Sequence, residues 1–359
     1  MKKFLLLSFL FVSNHLLATD YVLEGTIGKF PIVMSLSVDG NTCEGTYFYK
    51  SSLHDIYFKG SAIDKNIKLT VKQDDDDTKA GETFLLTIRD KGVFKGTWTG
   101  KNRKPLSVEL RSVKSNGEAP GDLYSNVRCS LLKIVTDSIV KSGIYTLSYI
   151  RIDQTDINMV QISGGTNPKI IQQVNARLKN MLLASAEESF ACEVDNYNIS
   201  RPYLNNSVLS FDVFTSVYCP GAAHPDFGDA PVNISLKTGN DLEFDDILLL
   251  PELPAPDKQA HYDAWVDYQS NTFAPRLLVL LRGLYPKEMH TALDDDTSCN
   301  YNDAEVWKFA SWYLTDKGMY LSPDFPHVQG PCRNPDWSII PFSEIKKHPN
   351  PQSGIRVGE

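Results

Sequence analysis

His224 and Asp226 form an H-x-D pair beside two rigid prolines, in the run Cys219-Pro220-Gly221-Ala222-Ala223-His224-Pro225-Asp226-Phe227. An imidazole and a carboxylate held this close could give two ligands to a zinc-class metal. With His327 or His290 as a third, a bound water would make a metal-assisted hydrolase. The competing reading keeps His224 as the residue that fixes the turn through backbone hydrogen bonds. Three other elements, Ser130-x-x-Lys133, Tyr203-x-Asn205 and Lys237-Thr238-Gly239, occur in the order used by penicillin-recognising serine enzymes. They are short, S-x-x-K recurs at Ser138 and Ser343, and Gly239 suits a hairpin turn. Residues 74–77 are four consecutive Asp, which could hold a hard cation but lack the spaced register of a calcium loop. No catalytic residue, metal or cofactor is assigned from these patterns.

The elements that must position such groups change character along the chain. Over 21–112 short runs alternate apolar with polar residues between Gly, Asp and Asn turns. The pattern predicts strands at 21–25, 30–38, 45–50, 56–60, 67–71, 84–88, 94–98 and 106–110. Eight successive strands can remove their edges by closing on themselves, so an all-β antiparallel barrel-like domain is expected over 19–113. Gly25, Gly45, Gly60 and Gly96 fall where a small barrel needs sharp bends, and Tyr47, Tyr49, Phe58 and Trp98 fill it or line a cup. A breaker-rich linker and connecting segment is expected over 114–142. From 143 to 359 strands and helices mix without strict alternation, which predicts an α+β domain with helices packed on an antiparallel sheet. Asn167 and Pro168 open an amphipathic helix over 168–187, with Ile171, Val174, Leu178, Met181 and Ser185 on its buried stripe. Strand pairs follow at 191–196 with 208–218 and 232–236 with 241–244, then a helical segment over 258–283 and a hairpin of 307–314 with 319–321.

Composition narrows the function. With 36 Lys+Arg against 44 Asp+Glu the formal charge is −8, which excludes nucleic acid as a natural partner. Residues 1–18 read Met-Lys-Lys, an apolar run, then a polar stretch ending in Ala, the order of a cleaved secretory leader, with no membrane span expected after its removal. Losing Lys2 and Lys3 leaves 34 basic against 44 acidic residues, a charge of −10. Six cysteines in an exported chain favour disulfides over metal ligation. The expected pairs are Cys192 with Cys219 at the ends of neighbouring strands, Cys299 with Cys332 across an irregular segment, and Cys43 with Cys129 by elimination.

The His-Pro run, with Val232-Asn233-Ile234-Ser235-Leu236-Lys237-Thr238-Gly239 and Leu242-Glu243-Phe244-Asp245-Asp246-Ile247-Leu248 after it, resembles the C-terminal domain family of the anti-sigma factor RsiV, also found in peptidoglycan deacetylases. That family shows a Gly-Gly-Ala-His-Pro-like turn, a strand ending in Lys/Asn-Thr-Gly and a Leu-x-Asp-Leu-Phe-like segment, and Ala222 stands where it has its second Gly. The runs 309–319 and 340–345 are similar to its closing hairpin and its Pro-x-Ser-Glu-Leu helix start, so the likeness spans roughly 143–347. The resemblance implies a non-catalytic binding module of the bacterial cell envelope, secreted or periplasmic, with a cationic protein such as a lysozyme, or peptidoglycan, as partner. No sigma-binding segment or deacetylase domain accompanies it, so neither signalling nor deacetylation is carried over. An acidic surface would steer a basic partner. His224, Asp226, Phe227, Tyr218, Trp312 and Trp337 are the candidate binding residues, with core packing as the competing role of the aromatic ones.

Overall fold

The computed structural model describes residues 19–71, 81–90, 92–115, 117, 119–250, 255–290 and 298–358. The expected leader at 1–18 and the acidic run at 74–77 lie outside the described residues. Contacts divide the chain into two compact units, Met1–Leu132 and Lys133–Glu359.

In the first unit eight strands form a closed antiparallel barrel in sequence order. They are β1 (Thr19–Ile27), β2 (Phe30–Asp39), β3 (Thr42–Tyr49), β4 (Ile56–Ile63), β5 (Asn66–Val71), β6 (Thr83–Asp90), β7 (Val93–Thr99) and β8 (Leu106–Ser112), with β1 pairing β8 to close the ring. Alternation supplies the interior: Leu23, Ile32, Met34, Tyr47, Phe58, Leu69, Phe84, Phe94 and Leu110 are all buried inside. Tyr47, Phe58 and Trp98 therefore fill the barrel. Gly60 and Gly96 sit where strands cross closely; a Cβ at either would collide with the carbonyl oxygen of Lys68 or of Leu85 on the neighbouring strand.

The stretch expected to connect the domains carries regular structure. Helix α1 (Pro120–Leu131) lies against the outer barrel wall, where Leu123 and Tyr124 pack on Val22, Val33 and Phe48. Arg128 is 1 % exposed and pairs with Asp55, which also accepts from Tyr124 Oη at 2.7 Å, while the guanidinium lies 4.7 Å from the Phe48 ring. This geometry overturns the expected Cys43–Cys129 disulfide: both remain thiols, because Cys43 faces the barrel interior and Cys129 rides on a helix outside the wall.

The second unit mixes strands and helices: among the described residues it has four three-stranded antiparallel sheets, one long helix and several short ones. Strands β9 (Ile134–Ser142), β10 (Tyr145–Ile152) and β11 (Asn158–Gly164) make the first sheet. Helix α2 (Pro168–Ala191) packs on it with Asn167 accepting from Ile170 N as its cap. Its buried stripe runs Ile171, Val174, Leu178, Leu182, Ala186 and Phe190, so the expected Met181 and Ser185 are displaced by one residue as 3.6-residue turns accumulate. Asn175 on α2 bonds both Ile162 N at 2.9 Å and Ile162 O at 2.7 Å, satisfying the edge of β11.

Next come β12 (Glu193–Ile199), β13 (Tyr203–Leu204), β14 (Val208–Phe211), β15 (Val213–Tyr218), β16 (Asp226–Asp229) and β17 (Val232–Ser235), forming the sheets β12-β15-β16 and β13-β14-β17. The strand expected at 241–244 is reduced to one bridge, Ile234 with Asp241, and Phe244 opens a one-turn helix, α3 (Phe244–Ile247), held by a Glu243–Asp246 capping box. The long helical segment is α4 (Tyr262–Tyr268) and α5 (Ala274–Leu284), joined by a π-helical turn at Gln269–Phe273. The last sheet is β18 (Ser311–Leu314), β19 (Gly318–Ser322) and β20 (Ile339–Pro341), followed by α6 (Phe342–Ile345). Trp307, Leu314, Met319 and Leu321 anchor the core beneath it. No helix among the described residues is long and apolar enough to cross a membrane.

Candidate functional site

The run 208–218 is a single alternating stretch in sequence, yet the strand breaks at Asp212 into β14 and β15. Its partner breaks at Ala230 and Pro231, between β16 and β17. Proline cannot donate to a ladder, so the sheet changes partners there. The two broken strands form one long hairpin whose tip is the His-Pro elbow, residues 219–225.

The elbow is tied at its base and held by ring contacts at its tip. Cys219 is joined to Cys192, at the C-cap of α2, and Gly221 turns the chain with φ +85°. His224 Nδ1 lies 2.9 Å from Pro225 O, which calls for the tautomer with its proton on that nitrogen. Its ring lies 4.7 Å from His327 at a 40° tilt, and Phe227 lies 4.9 Å from the His327 ring. Phe227 also presses on Gly330 and has Arg333 5.9 Å from its centroid. Gly330 and Arg333 belong to the segment that the second disulfide, Cys299–Cys332, fastens down. Asp226 Oδ1 accepts from Phe227 N at 2.9 Å.

Of the metal-ligand candidates the structure therefore brings His327 to His224. Among the described residues, however, no three His, Cys, Asp or Glu side chains gather around one point. Tyr218 is half-buried at the end of β15, opposite Glu193. Trp337 is half-buried against Tyr285, Tyr301 and Trp307. Trp312 is 9 % exposed with its ring on Phe244, so as a surface anchor it is corrected to a core residue. Lys237-Thr238-Gly239 is a turn with Gly239 at φ +81°, and Lys237 Nζ donates to Gly354 O.

A shallow cleft of about 180 Å³ opens beside the elbow, lined by Glu188 of α2, Thr215 and Val217 of β15, and Asp226, Phe227 and Asp229 of β16. Its ionisable lining is acidic.

Beneath the hairpin lies a group that sequence reasoning missed. Asp212 is 6 % exposed and meets the Asp229 carboxyl. Burial pushes its carboxyl up to about 7, with the Asp229 charge adding and the Val213 and Ala230 amides opposing. Burial raises the phenols of Tyr313 and Tyr320, a cross-strand pair 5.0 Å apart on β18 and β19, Tyr313 to about 12, with Asp212 and Asp229 adding at Tyr313 and Asp229 at Tyr320. One signal was present: Asp212 is the only charged residue in the alternating run 208–218.

A second missed feature is a row of aromatic rings on the surface. Trp265 stacks on Phe309 at 5.5 Å and 17° and on Tyr262 at 6.1 Å and 29°. Tyr262 is 59 % and Phe309 43 % exposed, and Lys258 and Lys308 place their ammonium groups over Trp265 and Phe309.

No protein-family model matches the chain, and no curated protein or solved structure matches it either.

Proposed function

We propose that the chain is a non-catalytic binding protein of the cell envelope, secreted or periplasmic, that takes a cationic protein of the lysozyme class at its His-Pro elbow. One observation carries this reading: the cleft beside a doubly fastened elbow is lined by Glu188, Asp226 and Asp229 with no basic side chain in its wall. A rigid turn beside clustered carboxylates suits a Lys or Arg side chain, because little ordering is lost on binding and the charges are complementary. The overall charge of −8 would speed the encounter. The likeness of the elbow and its hairpin to the RsiV C-terminal family supports the same partner class, and two disulfides suit an oxidising compartment. The test is retention on immobilised hen lysozyme. Binding at low salt that is lost at high salt and cut about tenfold or more by Glu188→Gln with Asp226→Asn is expected. Failure to bind at low salt removes this partner.

A second reading, peptidoglycan, is favoured by the row Tyr262, Trp265 and Phe309, since flat aromatic faces at the surface stack on the apolar faces of sugar rings. Co-sedimentation with purified sacculi that Trp265→Ala abolishes and the double cleft variant leaves intact would select it.

A further inference from the structure

We infer that Asp212 and Asp229, with Ser322 beside them, form a binding site for a hard divalent cation of the calcium class, which shares Asp229 with the wall of the partner cleft. Asp212 is 94 % out of solvent by its 6 % exposure, and its Oδ1 accepts no hydrogen bond. The Asp229 carboxyl lies within hydrogen-bond reach of it. No Lys, Arg or His among the described residues forms an ion pair with either carboxylate. The nearby Arg333 is spent elsewhere, its Nε donating to Phe325 O at 2.7 Å and its guanidinium beside Phe227. A buried carboxylate persists only when it is paired, protonated or bound to a metal, and the open Oδ1 of Asp212 beside the half-buried Asp229 is a place that a cation would satisfy.

Ser322 sharpens the argument. Its Oγ lies 2.7 Å from Arg333 O and 3.4 Å from Asp229 Oδ2. A hydroxyl has one proton, and the shorter contact to a carbonyl takes it. What Ser322 then turns toward Asp229 is lone-pair density, which a positive ion between them would convert from repulsion to coordination. The donor set is oxygen alone, which selects calcium or magnesium over zinc or copper. Two carboxylates make a low-charge site, so a Kd on the order of 10⁻⁴–10⁻³ M is expected, the range of extracellular calcium modules.

The site also has a structural task. Asp212 and Asp229 belong to the two strands that break together, so an ion shared by them would pin the hinge of the hairpin that carries the elbow.

The experiment is thermal denaturation and calorimetric titration of the full chain, stripped with chelator and then given calcium or magnesium chloride. At ten times Kd calcium should raise the melting temperature by roughly 3–6 °C, and Asp212→Asn should abolish that shift. Ser322→Ala, which keeps both carboxylates, should weaken binding about tenfold. Far-UV circular dichroism of the cation-free variants shows that they fold; if Asp212→Asn does not, the Ser322→Ala titration decides. No response of the wild-type chain to either ion overturns the inference. So does a calcium response that survives in Asp212→Asn, which would put the ion elsewhere, for example at 74–77. So does an Asp212→Asn chain more stable than wild type with no ion response in either, since the pair would then only share a proton.

Discussion

Gly330 can carry no side chain because the Phe227 ring occupies the place where a Cβ would begin. Gly330→Ala must therefore push the ring or the backbone aside, an overpacking cost of about 1–3 kcal/mol that a urea midpoint would register. Because Phe227 links the elbow to the Cys332 segment, the same variant should also weaken binding at the cleft. Asp245 makes a different kind of prediction. Its Oδ2 accepts from Ala255 N at 2.6 Å, and burial pushes its carboxyl up to about 6, with Asp246 and Glu243 adding and the Ala255 amide opposing. A folded value above the unfolded one means that the native state holds the proton longer. This contribution is therefore fully favourable below about pH 4 and is lost as pH rises from there through 6. Asp245→Asn keeps an acceptor for Ala255 and cannot ionise, so it should gain on the order of 2 kcal/mol relative to wild type at pH 7 and nothing at pH 3.5. Equal stability differences at both pH values would refute the assignment.

Among the elements, legibility tracks whether the determinant is local. The eight barrel strands could be read because a small closed sheet imposes period two and hairpin-length turns directly on the chain. Cys192–Cys219 and Cys299–Cys332 could be read because strand ends and an irregular segment gave each a partner nearby. Cys43 and Cys129 misled because elimination ignores which side of the barrel wall a residue faces. Helix α1 was hidden by its breaker-rich approach, and its seat depends on Arg128 reaching Asp55, 73 residues away. Asp212 and Asp229 sit in different strands, and only the shared break brings their carboxyls together. The aromatic row was invisible because Trp265 and Phe309 belong to separate elements, and the π-helical turn between α4 and α5 has no signature at this length. The Arg128 seat can be measured: Arg128→Ala leaves Asp55 buried without its cation and should cost about 3–5 kcal/mol in the barrel's unfolding. Arg128→Lys should recover only part of it, because a point charge replaces the guanidinium plane between Phe48 and Tyr124.

At the scale of the whole molecule, each unit has its own hydrophobic core and only one of them is cross-linked. The barrel interior and the cluster around Trp307, Leu314 and Leu321 share no residue, and both disulfides join cysteines beyond Lys133. Two cores of this kind need not unfold together, so denaturation should show two transitions, for which a single midpoint would be undefined. The loops closed by the disulfides span 27 and 33 residues, and each closure is worth roughly 3–4 kcal/mol through the unfolded chain it restrains. Reductant should lower the midpoint of the second unit by that route and leave the barrel where it was, since its two cysteines are already thiols. Tryptophan separates the signals. Trp98 is the one tryptophan of the first unit and is 3 % exposed, whereas Trp265, Trp307, Trp312 and Trp337 all report on the second. The fluorescence difference between wild type and Trp98→Phe thus isolates the barrel. A reductant-induced shift in that difference signal, equal to the shift in the remaining emission, would mean that the units unfold as one and that their cores are energetically coupled.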